Sequence, residues 1–413
     1  MIIFLLLTQV DSLSLEQAID LALTKSPYYH ESKLSFEKSR IQFYQTLSNL
    51  LPTVSSRLSY TKSEYNGVTT GTYSGSMSLT QPIFDLDIFS SVIIAQRQLK
   101  SNRIQFQADA AELILRLKTA YFNLVNAEDL LNSSKIALKR AEENLKLIEA
   151  KYELGAASRL EKLQGEVFHL RAQQDLAKAK TLQITAQEEL KSLLGVSCDI
   201  YPTDTLTVPI DTEFPPLDSL ISLLQRVNYN LKITRELRNV AHLNLTASYL
   251  GFLPKVSFFY GYTYNSDSLI FDFQHFKDNT TKNYGVTFSF PIFELKSLIF
   301  NCLNARKELQ LQEFKKQQAL FETEKSLRTT YYTLKEVYEK LRLTKKSLAA
   351  AEEAAEIAKE QYALGVISLL DFLGAEKDLY DAKVSYTSAL SDFYIQKAKL
   401  SYLLGEITFK EER

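Results

Sequence analysis

Residues 51–61 read L-P-T-V-S-S-R-L-S-Y-T with a period of two: Val54, Leu58 and Tyr60 fall on one face, and Thr53, Ser55, Arg57, Ser59 and Thr61 on the other. That alternation predicts a strand with one wet side. Beyond a polar, glycine-bearing loop (Asn66, Gly67, Gly71), Tyr73, Met77 and Leu79 alternate with Ser74, Ser76, Ser78 and Thr80, which predicts a hairpin over 51–84. Residues 78–87, S-L-T-Q-P-I-F-D-L-D, end the alternation at Pro82 and hand over to a helical pattern. From there Ala110, Leu113, Leu117, Ala120, Leu124, Ala127, Leu131, Ser134, Leu138, Ala141, Leu145, Ile148 and Tyr152 follow one another at spacings of three and four. Such a run predicts a coiled-coil seam, narrower than the stripe of a globular helix. A helix over 88–154 is about 100 Å long at 1.5 Å per residue. Gly155 marks its end, and Ser158 opens a return helix over 158–194, closing at Gly195. Upstream, Ser14 with Gln17 three residues later predicts a capped helix from residue 14 to about 49, broken or kinked at Pro27.

The second half replays this order. Residues 253–263, L-P-K-V-S-F-F-Y-G-Y-T, place Val256, Phe258, Tyr260, Tyr262 and Tyr264 on one almost wholly aromatic face. After a longer loop holding Phe271, Phe273, His275 and Phe276, the alternation resumes through Tyr284, Val286, Phe288, Phe290 and Ile292, for a hairpin over 253–293. Pro291-Ile-Phe-Glu repeats Pro82-Ile-Phe-Asp at the second joint. A helix over 295–364 carries Leu327, Tyr331, Leu334, Tyr338 and Leu341, has its seam interrupted at Lys345, and resumes through Ala355 and Ala358 to Tyr362. Tyr152, Leu154, Gly155 and Ser158 recur as Tyr362, Leu364, Gly365 and Ser368, followed by a return helix over 368–404. The expectation is a tandem repeat, 13–195 and 217–405, joined by a proline-bearing linker over 196–216 and ending in a tail over 406–413.

Composition narrows the reading. Only 12 glycines and 9 prolines serve 413 residues, so the elements are few and long. Lys plus Arg (48) nearly cancels Asp plus Glu (49), so nothing in the net charge favours nucleic acid or a polybasic membrane contact. Residues 1–10 hold an apolar run, Ile2 to Leu7, too short to span a bilayer; it reads as the remnant of an export signal or as an apolar N-terminal tail. No other run reaches the roughly 18 apolar residues of a membrane helix, so a chain that enters a membrane does so as strands.

Catalytic chemistry has no candidate. His30, His169, His242 and His275 stand on separate elements without metal-ligand spacing, and Cys198 and Cys302 fit no zinc or redox pattern. The paired acids Glu142-Glu143, Glu188-Glu189 and Glu352-Glu353 sit among lysines and read as solvated helix faces. Neither a cofactor, a metal nor an enzyme activity is expected.

The fold class is therefore mainly α with a small β part: long antiparallel coiled-coil helices plus four strands of about ten residues, the length of tilted strands across an outer-membrane hydrocarbon layer. Four strands cannot close a wall, and about eight is the practical minimum. Two copies would pool eight and three would pool twelve with space inside; three is the preferred count. Two alternatives stay open: edge hairpins packed under the helices of a soluble protein, and a coiled-coil scaffold binding partner helices without a pore.

Leu-Pro opening a strand, Pro-Ile-Phe at each joint, and Tyr-x-x-Gly before a helical reversal in both halves make the chain resemble the TolC outer-membrane efflux protein family over nearly its whole length, about 13 to 405. The resemblance implies a homotrimer with a twelve-stranded barrel in outer-membrane lipid and an α-helical periplasmic tunnel. It also implies docking to a periplasmic adaptor protein and an inner-membrane pump, with no nucleic acid. By the same resemblance, helical tips at Gly155 and Ser158 and at Gly365 and Ser368 form the narrow entrance and the docking surface. A tyrosine before the second-half glycine bonds a first-half acid, here Tyr362 to Glu161, with Tyr152 as the repeat's other tyrosine, and Asp371 contributes to a ring of acids. Departures from the family pattern are Glu for Asp at 161, Ile367 for an arginine that helps lock the entrance, and Gly374 for a second ring acid. They imply a weaker closed state and a less cation-selective constriction.

Overall fold

The computed structural model describes residues 12–207, 214–267, 278–290 and 295–407. The apolar N-terminal run, Phe271, Phe273, His275 and Phe276 of the second hairpin loop, Pro291 and Ile292 at the second joint, and the last six residues lie outside these. In chain order the elements are β1 (Ser12–Leu13), α1 (Leu15–Lys25), α2 (Pro27–Ser48), β2 (Thr53–Tyr65), β3 (Val68–Phe84), α3 (Leu86–Glu153) and α4 (Arg159–Leu194). They continue with β4 (Tyr201–Pro202), α5 (Leu217–Val227), α6 (Tyr229–Leu250), β5 (Lys255–Ser266), β6 (Thr280–Ser289), α7 (Leu295–Ala363) and α8 (Leu369–Leu403). Two compact units result, one of 34–106 and 230–320, the other of the remainder.

The first unit carries an antiparallel sheet in the order β2-β3-β5-β6. Its strands run 13, 17, 12 and 10 residues, so those of the first hairpin are longer than the expected ten or so. The predicted glycine-bearing loop shrinks to two residues, because Asn66 (φ 50°) and Gly67 (φ 79°) both adopt the left-handed conformation of a type I′ turn, whose twist matches that of the flanking strands. Gly71 is instead a strand residue, paired with Lys62. Register places apolar beside apolar: Val54 opposite Leu79, Leu79 opposite Tyr260, and Tyr260 opposite Tyr284. One face is thus apolar across all four strands, while Ser55, Ser78, Gly261 and Asn283 run across the other. Val54, Leu58, Tyr284, Val286 and Phe288 of that apolar face are exposed in the single chain.

The joint differs from expectation in detail. Pro82 still lies in β3, opposite Ser257, and a bulge at Ile83 separates it from the Phe84–Val256 pair. A bulge tolerates the missing proline N–H. The helix begins at Leu86, where the Asp85 carboxylate accepts from the N–H of Asp87 (3.0 Å) and of Ile88 (3.3 Å) as an N-cap. Lys255 at the start of β5 reaches Asp87 at 2.6 Å, so the second hairpin fastens the first hairpin's joint. In the same unit Phe36 stacks on Phe106, and buried Glu236 takes Lys100 at 2.6 Å.

In the other unit, ten of the thirteen predicted seam residues of α3 are buried, Leu138 and Leu145 are half-buried, and Tyr152 is exposed. The seam is not narrow throughout. Between 108 and 125, Ala111, Ile114, Tyr121, Phe122 and Val125 are buried as well. There α3 is covered on several sides by residues of α1, α4 and the interrepeat segment, through Ala18, Ala22, Leu190, Leu194 and Ile200. The expected linker over 196–216 is bonded down on both sides of its undescribed part. Tyr201 and Pro202 pair in parallel with Ser12 and Leu13, Tyr394 Oη donates to Thr207 O (2.8 Å), and Tyr331 Oη donates to Pro215 O (3.0 Å). The helix predicted from residue 14 is two helices, with Ser26 extended ahead of Pro27, as a pre-proline residue must be. Residues 217–250 likewise form two helices, because Asn228 is extended without any proline and donates from Nδ2 to Leu403 O (3.1 Å).

Tyr121 ties these pieces together. Its hydroxyl lies 2.9 Å from both Leu13 O and Asp204 Oδ2, while Leu15 N–H donates to the same carboxylate at 2.8 Å. Burial, then the Asp204 hydrogen bond, pushes the phenol up to about 12. Tyr121→Phe strands the buried acceptors and is expected to cost about 1–3 kcal/mol. A urea midpoint unchanged from wild type counts against the latch.

Candidate functional site

Both helical hairpins of the second unit turn by the same backbone device. Gly155 (φ +73°) donates to Tyr152 O and Ala156 to Lys151 O, while Gly365 (φ +76°) donates to Tyr362 O and Val366 to Gln361 O. These paired bonds form a Schellman motif, which satisfies carbonyls left over at the helix end and demands a residue at positive φ. A serine then restarts each helix. Ser158 Oγ accepts from Glu161 N–H (3.2 Å), and the Glu161 carboxylate reaches back to Ser158 N–H (2.6 Å), completing a capping box. Ser368 Oγ likewise accepts from Asp371 N–H (3.2 Å). Asp371 is one methylene shorter, and its carboxylate accepts from the Ser368 hydroxyl (2.6 Å).

The two tips diverge in their tyrosines. Tyr152 is 39% exposed, with Lys162 Nζ 5.6 Å from its ring, whereas Tyr362 is 4% exposed and stacks on Phe372 at 5.0 Å with planes 7° apart. On its other side Lys151 Nζ donates to Tyr362 O (2.9 Å) and lies 3.9 Å from the Tyr362 ring. A cation at a helix C-terminus meets the negative end of the dipole as well as the aromatic face. Ile148, Ala358, Leu369, Phe372 and Leu373 complete an apolar cluster around Tyr362, and Ile367 packs against it. The position where the family pattern has an arginine is therefore committed to apolar packing.

The Tyr362–Glu161 hydrogen bond expected from the resemblance is not formed. Glu161 is occupied by its own helix cap, yet its charge adds to burial in raising the Tyr362 phenol above its ordinary value. Sequence reasoning missed Lys151 and Phe372. Lys151 stands where the second repeat has Gln361, and that asymmetry, a cation in the last turn of α3, was the available signal.

Asp371 is exposed on α8 and borders a groove of about 840 Å³ between α7 and α8. Small residues, among them Ala350, Ala351 and Ala354 from α7 and Gly374 and Ala375 from α8, floor it, with Asp378 and Asp381 along the same helix. A Cβ on Gly374 would meet nothing within 4 Å, so the groove is open there. Among the described residues no cluster could hold a metal ion, and no helix is long and apolar enough to cross a membrane.

Two antiparallel helical hairpins, each turning on a left-handed glycine, and one four-stranded antiparallel sheet define the class of chain. The sequence model described as "Outer membrane efflux protein" matches residues 18–196 and 220–406, and the chain belongs to that family. It is 22% identical over 421 residues to outer membrane protein TolC of Escherichia coli strain K12, covering 95% of this chain and 82% of that protein. To the alkaline protease secretion protein AprF of Pseudomonas aeruginosa it is 24% identical over 348 residues, covering 81% of this chain and 69% of that protein. Among solved structures, the Campylobacter jejuni CmeC outer membrane channel matches with a TM-score of 0.83 at 20% identity, covering 97% of this chain and 87% of that one.

Replacing Lys151 with Met removes the cation from the Tyr362 carbonyl and ring. The end of α7 is expected to open about 1 kcal/mol more easily, read as roughly fivefold faster amide exchange at Gly365 and Val366. Exchange equal to wild type would show that the ammonium contributes nothing there.

Proposed function

We propose that this protein is the outer-membrane exit duct of an efflux or type I secretion system, conducting cargo passively while an inner-membrane pump supplies the energy. The observation that carries the reading is the sheet. β2 and β6 are its edges, and its exposed apolar face runs through every strand, with aromatic residues concentrated on β5 and β6. In lipid every backbone N–H and C=O must find a protein partner, so an edge of this kind is closed by another copy. Three copies close a twelve-stranded barrel with space inside, and their helical hairpins form the tunnel.

On this reading the glycine tips narrow the entrance. Tyr362, with Glu161 nearby, holds the second hairpin closed, Tyr152 marks the corresponding turn of the first, and three Asp371 carboxylates ring the constriction. Ser158, Gly155, Ser368 and Gly365 shape the ends that a periplasmic adaptor protein grips. Opening is a parting of α7 and α8 from α3 and α4, a hinge motion about residues that absorb the backbone change.

Reconstitution in planar bilayers tests both levels. Purified protein is expected to conduct as a trimer that survives mild detergent, and Asp371→Asn to lower the preference for cations severalfold. A water-soluble monomer that never conducts defeats the duct; unaltered selectivity in the variant defeats the role given to Asp371.

A further inference from the structure

Glu376 lies three turns beyond the Gly365 reversal on α8, with only 6% of its side chain exposed. It faces α3, where Arg140 Nη1 stands 3.5 Å from Glu376 Oε1 and is itself 39% exposed. That is long for a charge-assisted contact, which closes to about 2.8 Å when well made. No other hydrogen bond reaches this carboxyl among the described residues. The remaining charges around it come from α7, Lys359 drawing toward the ionised form and Glu356 against it. A nearly buried carboxylate is thus held between three helices by one half-solvated guanidinium.

We propose that Glu376 and Arg140 are a positioning pair for the duct's closure, packing α8 on α3 most firmly when the carboxyl is neutral, so that acid keeps the entrance shut and alkali loosens it. The inference rests on the channel reading of the preceding subsection. Parting α8 from α3 returns Glu376 to water, which favours its ionised form. Packing does the reverse: burial raises its proton affinity, and this outweighs the opposing pull of Arg140. The sign follows. A carboxyl with a raised value in the packed state and an ordinary one, near 4.5, in the parted state favours packing fully below 4.5. That preference is lost as pH climbs from there to the raised value, and it is constant above. Each unit of elevation changes the closed-to-open ratio about tenfold. One turn along the same seam, Ser134 Oγ and Tyr380 Oη bond at 3.0 Å, so α8 keeps its register on α3 in either charge state.

The test is the pH dependence of current through the wild-type protein in planar bilayers between pH 8 and pH 5, compared with Glu376→Gln and Arg140→Met. Wild type is expected to close on acidification. E376Q, isosteric and permanently neutral, is expected to stay closed across the range, with its pH response flattened. R140M leaves the carboxylate uncompensated in the packed state, so it is expected to pass more current than wild type at pH 8 and to converge on it toward pH 5. A Gln variant that keeps the wild-type profile, or a wild type that opens in acid, overturns the pair's role. If E376Q does not assemble, the R140M current at pH 8 decides alone: a severalfold rise over wild type that vanishes toward pH 5 supports the pair, and a current equal to wild type overturns it. A wild type that never conducts removes the channel reading as well, whereas a conducting wild type with an overturning profile removes only this proposal.

Discussion

The antiparallel pairing of β3 with β5 is the interaction on which the rest depends. It joins the last strand of the first hairpin to the first strand of the second, turning two marginal hairpins into a four-stranded sheet whose two edges belong to different hairpins. Because the register sets Leu79 beside Tyr260 and Met77 beside Tyr262, the apolar faces of both hairpins merge into one. A one-residue slip would have turned the aromatic face of β5 to the polar side of β3. Lys255 at the start of β5 and Asp87 just after β3 reinforce that register where the sheet hands over to helix.

The second unit is governed by a different constraint, the need to finish a helix and begin its antiparallel neighbour after five residues. Both copies meet it with glycine at positive φ followed by a serine cap. Once the backbone was settled identically, the side chains were free to diverge. The first tip caps with a glutamate that reaches its own N-cap N–H and leaves Tyr152 exposed. The second caps with an aspartate and buries Tyr362 between Phe372 and Lys151. The proposed gate is consequently asymmetric: one hairpin supplies the cation, the other the buried ring and the carbonyl it grips.

The interrepeat segment shows how little of the middle of the chain behaves as a spacer. Four prolines suggest a linker, and its described residues, 196–207 and 214–216, lie in no helix. Yet Ile200 is fully buried, and carbonyls of Ile200, Thr207 and Pro215 accept from Gln187, Tyr394 and Tyr331. A backbone without its own secondary structure must pair its polar groups with neighbours once it is covered.

By itself the sequence determined the elements and their order, because period-two and three-four spacing, proline joints and glycine reversals are local properties that one strand or one helix expresses alone. The left-handed turn at Asn66-Gly67 and the serine caps belong to the same category. Tertiary structure decided what depends on a neighbour far along the chain: the widening of the α3 seam around Tyr121 and the helix break at Asn228 that no proline announces. It also placed Lys151 against Tyr362 and Arg140 against Glu376, 211 and 236 residues apart in sequence. The strength of a charge depends on what surrounds it, and only the packed helices supply those surroundings.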